Sequence, residues 1–117
     1  MTADRSFGRS RFWFGCAVLG VLLPAAAPPS APRAPRSFTI EIKDLAFGPA
    51  PAGVRAGDTV EWVNDDILLH SVTARDKSFD MDVAPGARVR LVMKIPEVFH
   101  YFCKYHPGMT GEITVGR

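Results

Sequence analysis

Apolar residues recur along this chain in two different ways. Between residues 12 and 23, "FWFGCAVLGVLL", they form one unbroken run. Beyond residue 37 they alternate with polar ones. "FTIEIK" (38–43) sets Phe38, Ile40 and Ile42 on one face, the period-two pattern of a half-buried strand. "TVEWVN" (59–64), "HSVTA" (70–74), "ARVRLVMKI" (87–95), "VFHYFC" (98–103) and "GEITV" (111–115) are further strand candidates. Turn signals separate them: "FGPAP" (47–51), "RAGD" (55–58), "NDD" (64–66) and "APGA" (84–87). No stretch after residue 37 shows a helical period with caps. Many short strands at this spacing predict an all-β fold, a β-sandwich. Val89, Leu91 and Met93 share a face, which makes Met93 a core residue, whereas Met81 is ambiguous between strand and bend.

The unbroken run belongs to another kind of segment. Arg5, Arg9 and Arg11 precede it, Pro24 ends it, and the small residues Ala25, Ala26 and Ala27 follow. That is the order of a secretory signal peptide. A membrane anchor is the rival reading, but twelve helical residues at about 1.5 Å each reach about 18 Å, short of a ~30 Å hydrocarbon core. Cys16 stands near the start of the run and does not close it, which argues against a lipid-modified cysteine. No arginine pair marks a twin-arginine signal. "PAAAPPSAPRAPR" (24–36) reads as an extended tether. The expected division is a signal peptide over 1–27, a linker over 28–36 and a folded domain over 37–117. Export to the periplasm or beyond follows, with no stable membrane insertion after cleavage.

The charge agrees with that division. The 117 residues are 47% hydrophobic and 22% charged with a net charge of +2, but the excess is at the front. Residues 1–36 carry Arg5, Arg9, Arg11, Arg33 and Arg36 against Asp4 alone; the remainder carries nine Lys or Arg against eleven Asp or Glu. Such a domain is no nucleic-acid binder. At about 80 residues its core is modest, and small exported domains usually rely on disulfides or a metal. Once Cys16 is removed, Cys103 is the last cysteine. An odd cysteine in an oxidising compartment is a liability unless something occupies it; the alternative is a buried thiol acting as a small hydrophobe.

The neighbours of Cys103 bear on that choice. "YFCKYHPGMTGE" (101–112) spaces Cys103, His106 and Met109 at equal intervals, interrupted by Pro107, Gly108 and Gly111. Pro107 and Gly108 oppose a helix, so a tight loop that curls the donors together is the better account. Two soft sulfurs and an imidazole favour copper over zinc, which rarely takes methionine. A fourth donor must come from elsewhere, and the chain has three histidines. His100 lies at odd separation from Cys103 and points away from the face of Phe99, Tyr101 and Cys103. His70 opens a strand behind two leucines; taken alone it could be a core histidine satisfied by a carbonyl, but beside the loop the ligand reading wins. Asp76, Asp80 and Asp82 lack the spacing and glycine of a calcium loop and read as a solvated turn.

With these residues assembled, "WVNDDILLHSV" (62–72) followed by "YFCKYHPGMTGEITV" (101–115) resembles the small blue-copper proteins, the cupredoxins, over residues 38–115. The two-residue gaps flanking His106 are most similar to the amicyanin branch; plastocyanin-like members have a longer His-to-Met gap. The resemblance implies a Greek-key β-sandwich of about seven to eight strands and one type 1 copper ion cycling between Cu(I) and Cu(II). His70, Cys103 and His106 would form its trigonal plane and Met109 a weak axial contact. Asn64 would steady the ligand loops, and Phe99 and Tyr101 would be core aromatics. Two positions depart from the family pattern. Ser71 replaces the usual asparagine, so the cross-link between loops is lost or passes to a hydroxyl, and Leu69 replaces a common proline.

The resemblance also implies a function: outer-sphere electron transfer without catalysis, in a monomer. His106 would be the electron gateway, within an apolar patch of Leu68, Leu69, Pro107 and Gly108. Lys104, Asp65 and Asp66 would bias the docking of redox partners, for which amicyanins suggest an amine dehydrogenase and a c-type cytochrome. The rival is a periplasmic copper-delivery protein or accessory subunit with the same ligands, although methionine-rich or extra histidine tracts are missing. An oxidase or reductase would need more histidines than three.

Overall fold

The computed structural model describes residues 19–29 and 31–117, together with Gly8, Gly15 and Ala17. The expected signal peptide lies in large part outside the described residues. Among those described before Ser37 there is no helix or strand, and no described helix is long and apolar enough to cross a membrane. The chain divides into two units, Met1–Ala31 and Pro32–Arg117. The second holds the fold.

Eight strands build it: β1 (Ser37–Lys43), β2 (Ala46–Phe47), β3 (Thr59–Asn64), β4 (His70–Ala74), β5 (Asp80–Val83), β6 (Arg88–Val92), β7 (Val98–Phe102) and β8 (Thr110–Thr114). They form two four-stranded sheets, in the orders β2-β1-β3-β6 and β5-β4-β7-β8. The chain changes sheet after β3, after β5 and after β6, which gives the expected Greek-key sandwich. β1 and β3 run parallel, with Ile40 opposite Trp62 and Ile42 opposite Asn64. The alternation seen in the sequence supplies the two inner faces. Ile40, Ile42, Val60 and Trp62 face Val72, Ala74, Tyr101 and Ile113, all buried. Trp62 meets the ring of Tyr101 edge-on at 5.6 Å, and Phe47 packs on the same ring at 4.8 Å. Met93 is buried as expected, and His100 is turned outward, 3.3 Å from Glu112 on β8.

Three local features differ from the sequence reading. β2 runs into the "FGPAP" turn signal, sharing Phe47 with it, and two residues are too few to show alternation. It pairs with β1 through a two-residue turn in which Asp44 and Leu45 both have positive φ, 52° and 58°, the geometry of a type I′ hairpin. β5 was masked by its aspartates. Asp80 and Asp82 stand on the exposed face of this strand, not in a solvated turn, while Met81 packs toward the core. β6 stops at Val92 because Met93 leaves the ladder: its N–H donates to the Asp58 carbonyl (2.8 Å) and its own carbonyl accepts from Gly57 (2.7 Å).

Asp58 is the anchor of that end of the sandwich. Its buried carboxylate accepts from the Arg36 amide (2.8 Å), the Arg33 guanidinium (2.7 Å) and the Arg55 amide (2.9 Å). These bonds, the Arg36 amide first, outweigh its burial and hold the carboxyl at a pKa of about 2. Arg33 and Arg36, in the stretch expected to be a tether, are thus fastened to the domain.

Candidate metal centre

The ligand loop is closed by its own backbone. The His106 N–H donates to the Cys103 carbonyl (3.3 Å), the Met109 N–H donates to the His106 carbonyl (2.8 Å), and the Cys103 N–H donates to the Met109 carbonyl (3.1 Å). Each bond spans the interval that separates the donors in sequence or closes the circuit, so all three residues belong to one ring. The three-residue spacing is therefore a turn repeat. Cys103 and Met109 are buried, and His106 is partly exposed.

His70, the first residue of β4, is brought to this ring from the other side. Its Nδ1 lies 3.8 Å from the Cys103 Sγ, and the His106 Nδ1 lies 3.7 Å from the same sulfur. The three donor atoms fall within 4.8 Å of one another, and the two imidazole rings are 5.0 Å apart. No covering leucine satisfies His70, and no carbonyl does either. Its Nε2 meets the Asp66 carboxylate at 3.0 Å. A carboxylate only accepts, so Nε2 carries the proton and Nδ1 keeps a free lone pair beside the sulfur. At 3.8 Å that lone pair can accept from the Cys103 thiol or, with the thiol deprotonated, share a metal with it. Two imidazole nitrogens, a thiol and a buried thioether on the same ring suit copper.

Three supports hold the donors in place. The Asn64 amide donates to the carbonyls of Leu68 (2.8 Å) and Val83 (2.9 Å), and its oxygen accepts from the Asp66 N–H (2.9 Å). That fixes the turn before His70, as the resemblance implies. Ser71 does what the missing asparagine would do. Its N–H donates to the Cys103 Sγ (3.3 Å), and its hydroxyl accepts from the Lys104 N–H (2.9 Å) and bonds Thr73 (2.9 Å). The cross-link between loops persists through a hydroxyl.

The third support was not foreseen. Lys104 and Tyr105, between Cys103 and His106, are both fastened to β5. The Lys104 ammonium lies 3.1 Å from Asp80 and 2.9 Å from Asp82, and the Tyr105 hydroxyl donates to Asp82 (2.8 Å). The two carboxylates, Asp82 first, raise the Lys104 pKa, and both carboxyls sit below the ordinary range with Lys104 as the first cause. Of the three charges expected to steer partners, Lys104 is neutralised here and Asp66 is turned to His70. Asp65 is exposed, and Lys104 is exposed although paired. Asp66 is held below the usual carboxylate range, first by the Leu45 amide and then by His70. Around His106 the surface is apolar: Leu68 and Leu69 are exposed, as are Pro107 and Gly108, and Ile67, overlooked in the sequence, is 89% exposed.

Comparison with known proteins agrees with this geometry. A family model described as a cupredoxin-like domain matches residues 15–115. The chain is similar to a plastocyanin of Prochlorothrix hollandica, 30% identical over 84% of this chain and 84% of that protein. It is 28% identical to a plastocyanin of Nostoc punctiforme, over 87% and 91% of the two chains. Among solved structures, an amicyanin of Paracoccus versutus superposes with a TM-score of 0.60 at 23% identity, over 68% of this chain and 80% of that one. A copper-containing nitrite reductase of Thermus scotoductus gives a TM-score of 0.64 at 25% identity over 79% of this chain, but only 25% of the reductase is covered.

Proposed function

We propose, for a chain that belongs to the cupredoxin family and is of the plastocyanin and amicyanin type, that it is an exported carrier of single electrons. Copper is the cofactor, and the ligands are His70 and His106 through Nδ1, Cys103 through Sγ, and Met109 as the weak fourth. The observation that carries this reading is the closed backbone ring of Cys103, His106 and Met109 with the lone pair of His70 turned toward its sulfur.

Bound copper supplies a one-electron Cu(I)/Cu(II) couple. The chain's own residues hold the donors in one arrangement in both oxidation states. Asn64 fixes the turn before His70, the Ser71 N–H bonds the Cys103 sulfur, and the Lys104–Asp82 clamp stiffens the loop between Cys103 and His106. Little rearrangement then accompanies electron transfer. Burial of Cys103 and Met109 excludes water and substrate from the donors, which favours outer-sphere transfer over bond-making. His106 is the partly exposed ligand, and the apolar rim of Ile67, Leu68, Leu69 and Pro107 lets a redox protein approach its ring without ion pairs to break. An amine dehydrogenase and a c-type cytochrome are the partner classes that fit an amicyanin-like loop. The leading segment acts as the export signal, and the working unit is a monomer.

The test is Cu(II) addition to the purified protein. The expected result is an intense visible thiolate-to-copper charge-transfer band, lost in Cys103→Ser, and rapid reduction and reoxidation by small redox proteins. A colourless product, or a band unchanged in Cys103→Ser, overturns the copper assignment. Metal transfer to a chelating partner that outpaces electron exchange identifies the copper-delivery role instead.

A further inference from the structure

The turn that joins β1 to β2 is strained, and its strain points at the metal end. Type I′ turns favour Asn-Gly because both central residues need positive φ. Here the second central residue is Leu45, φ 58°, in a region costly for any residue with a side chain. The two-residue connection between Lys43 and Ala46 itself calls for positive φ at Leu45. What the conformation achieves is an amide aimed out of the hairpin: the Leu45 N–H donates to Asp66 Oδ2 at 3.0 Å. The same oxygen accepts from His70 Nε2 at 3.0 Å. The other oxygen accepts from the Ile67 N–H at 3.2 Å, and the Asp66 N–H is held by Asn64. Asp66 is held on both oxygens and on its N–H, and its bond to His70 is assisted by the carboxylate charge.

From this geometry we propose that the Asp44–Leu45 turn is a positioning element of the metal centre: the Leu45 amide holds Asp66, and Asp66 sets the orientation, tautomer and donor strength of His70. The effect on copper rests on the copper reading above; the effect on His70 does not. The relay ties the first sheet, which carries the hairpin, to the first residue of β4 in the second. A carboxylate accepting the Nε2 proton pushes electron density to Nδ1, and loss of such an outer partner typically costs about 10–100-fold in metal affinity. The loss falls more on Cu(II), the harder ion, than on Cu(I).

Three variants test it: Asp66→Asn, Asp66→Glu, and insertion of one glycine between Asp44 and Leu45, which withdraws the amide while leaving Asp66 intact. The first readout is the imidazole nitrogen spectrum of the metal-free protein. His70 is expected as a single Nε2–H tautomer in the native chain, as a mixture in Asp66→Asn, restored in Asp66→Glu, and partly mixed in the insertion variant. The second is the reduction potential of the copper-loaded protein. A tenfold fall in the Cu(II)-to-Cu(I) affinity ratio reads as a rise of about 59 mV, expected in Asp66→Asn, smaller in the insertion variant, and largely reversed in Asp66→Glu. A native tautomer spectrum in both Asp66→Asn and the insertion variant overturns the relay. A disturbed His70 in the insertion variant, with no copper band in the native chain, keeps the positioning role and overturns the copper reading alone.

Discussion

Gly111→Ala should be among the most damaging single substitutions in the domain. Gly111 lies on β8 directly opposite Tyr101 of β7. A Cβ there would stand 2.3 Å from the Tyr101 Cζ, 2.4 Å from its hydroxyl oxygen and 2.7 Å from Cε2. Carbon atoms in contact settle at about 3.5–4.0 Å, so the ring must retreat by more than about 1 Å. It cannot do so freely, because Trp62 sits edge-on to it at 5.6 Å and Phe47 at 4.8 Å. Overpacking a filled core costs about 1–3 kcal/mol, and occasionally more; three simultaneous overlaps with a ring held on two sides put this one at or above the top, about 3 kcal/mol. For a domain of this size that is a fall in Tm of roughly 12–24 °C. The assay is thermal and denaturant unfolding of the metal-free protein, so that metal linkage does not enter. A second variant isolates the cause: Tyr101→Leu is itself destabilising, but adding Gly111→Ala to it should cost almost nothing. A Gly111→Ala protein whose Tm stays within about 2 °C of the native one would refute the reasoning, as would full additivity of the two substitutions.

Two further outcomes follow from bonds already described. Ser71→Ala removes the acceptor of the Lys104 N–H and should lower stability by about 1–3 kcal/mol, read from the urea midpoint, while the retained Ser71 N–H keeps the Cys103 contact; an unchanged midpoint would show that water replaces the hydroxyl. Acid should unfold the protein in a defined window. The folded Asp58 titrates at about 2 against an ordinary 3.8, so its contribution is complete above that ordinary value and is lost as pH falls toward 2. Asp58→Asn should flatten the pH dependence of the unfolding midpoint in that window, and an unaltered slope would assign the acid response to other carboxylates.

The sequence disclosed the strands wherever alternation ran long enough. β3 and β4 coincide with the expected spans because their sequences alternate and turn signals lie close by, although β4 is buried along its whole length, whereas β2 and β5 were too short or too acidic to show a pattern. Three of the proposed donors stood out in the sequence by their three-residue spacing, whereas His70 needed that loop and the family resemblance to be singled out. What holds the donors was less legible. The bonds from Lys104 and Tyr105 to β5 join residues more than twenty positions apart, and only the alternating acids of "DMDV" against "KY" hint at them. Asp66 looked like a surface charge, because nothing local says that its side chain reaches forward four residues to His70. In the sequence Pro107 and Gly108 oppose a helix, and Gly111 is one more interruption. Gly108 has open space around its Cα, and Gly111 is there for a tyrosine ring.

The cluster at Asp58 also bears on how the domain carries mechanical load. β3 runs about 17 Å from Thr59, next to Asp58, to Asn64, whose amide holds the turn before His70. The chain therefore enters the folded unit at one pole, where Arg33 and Arg36 are clasped, and the donors converge at the other. A pull on the leading segment is taken up first by a guanidinium–carboxylate pair and then by the ladder of β1 on β3, a full strand length before it reaches any donor atom. Asp58 would take up such a pull at the pole opposite the donors, a strand length away from the turn before His70.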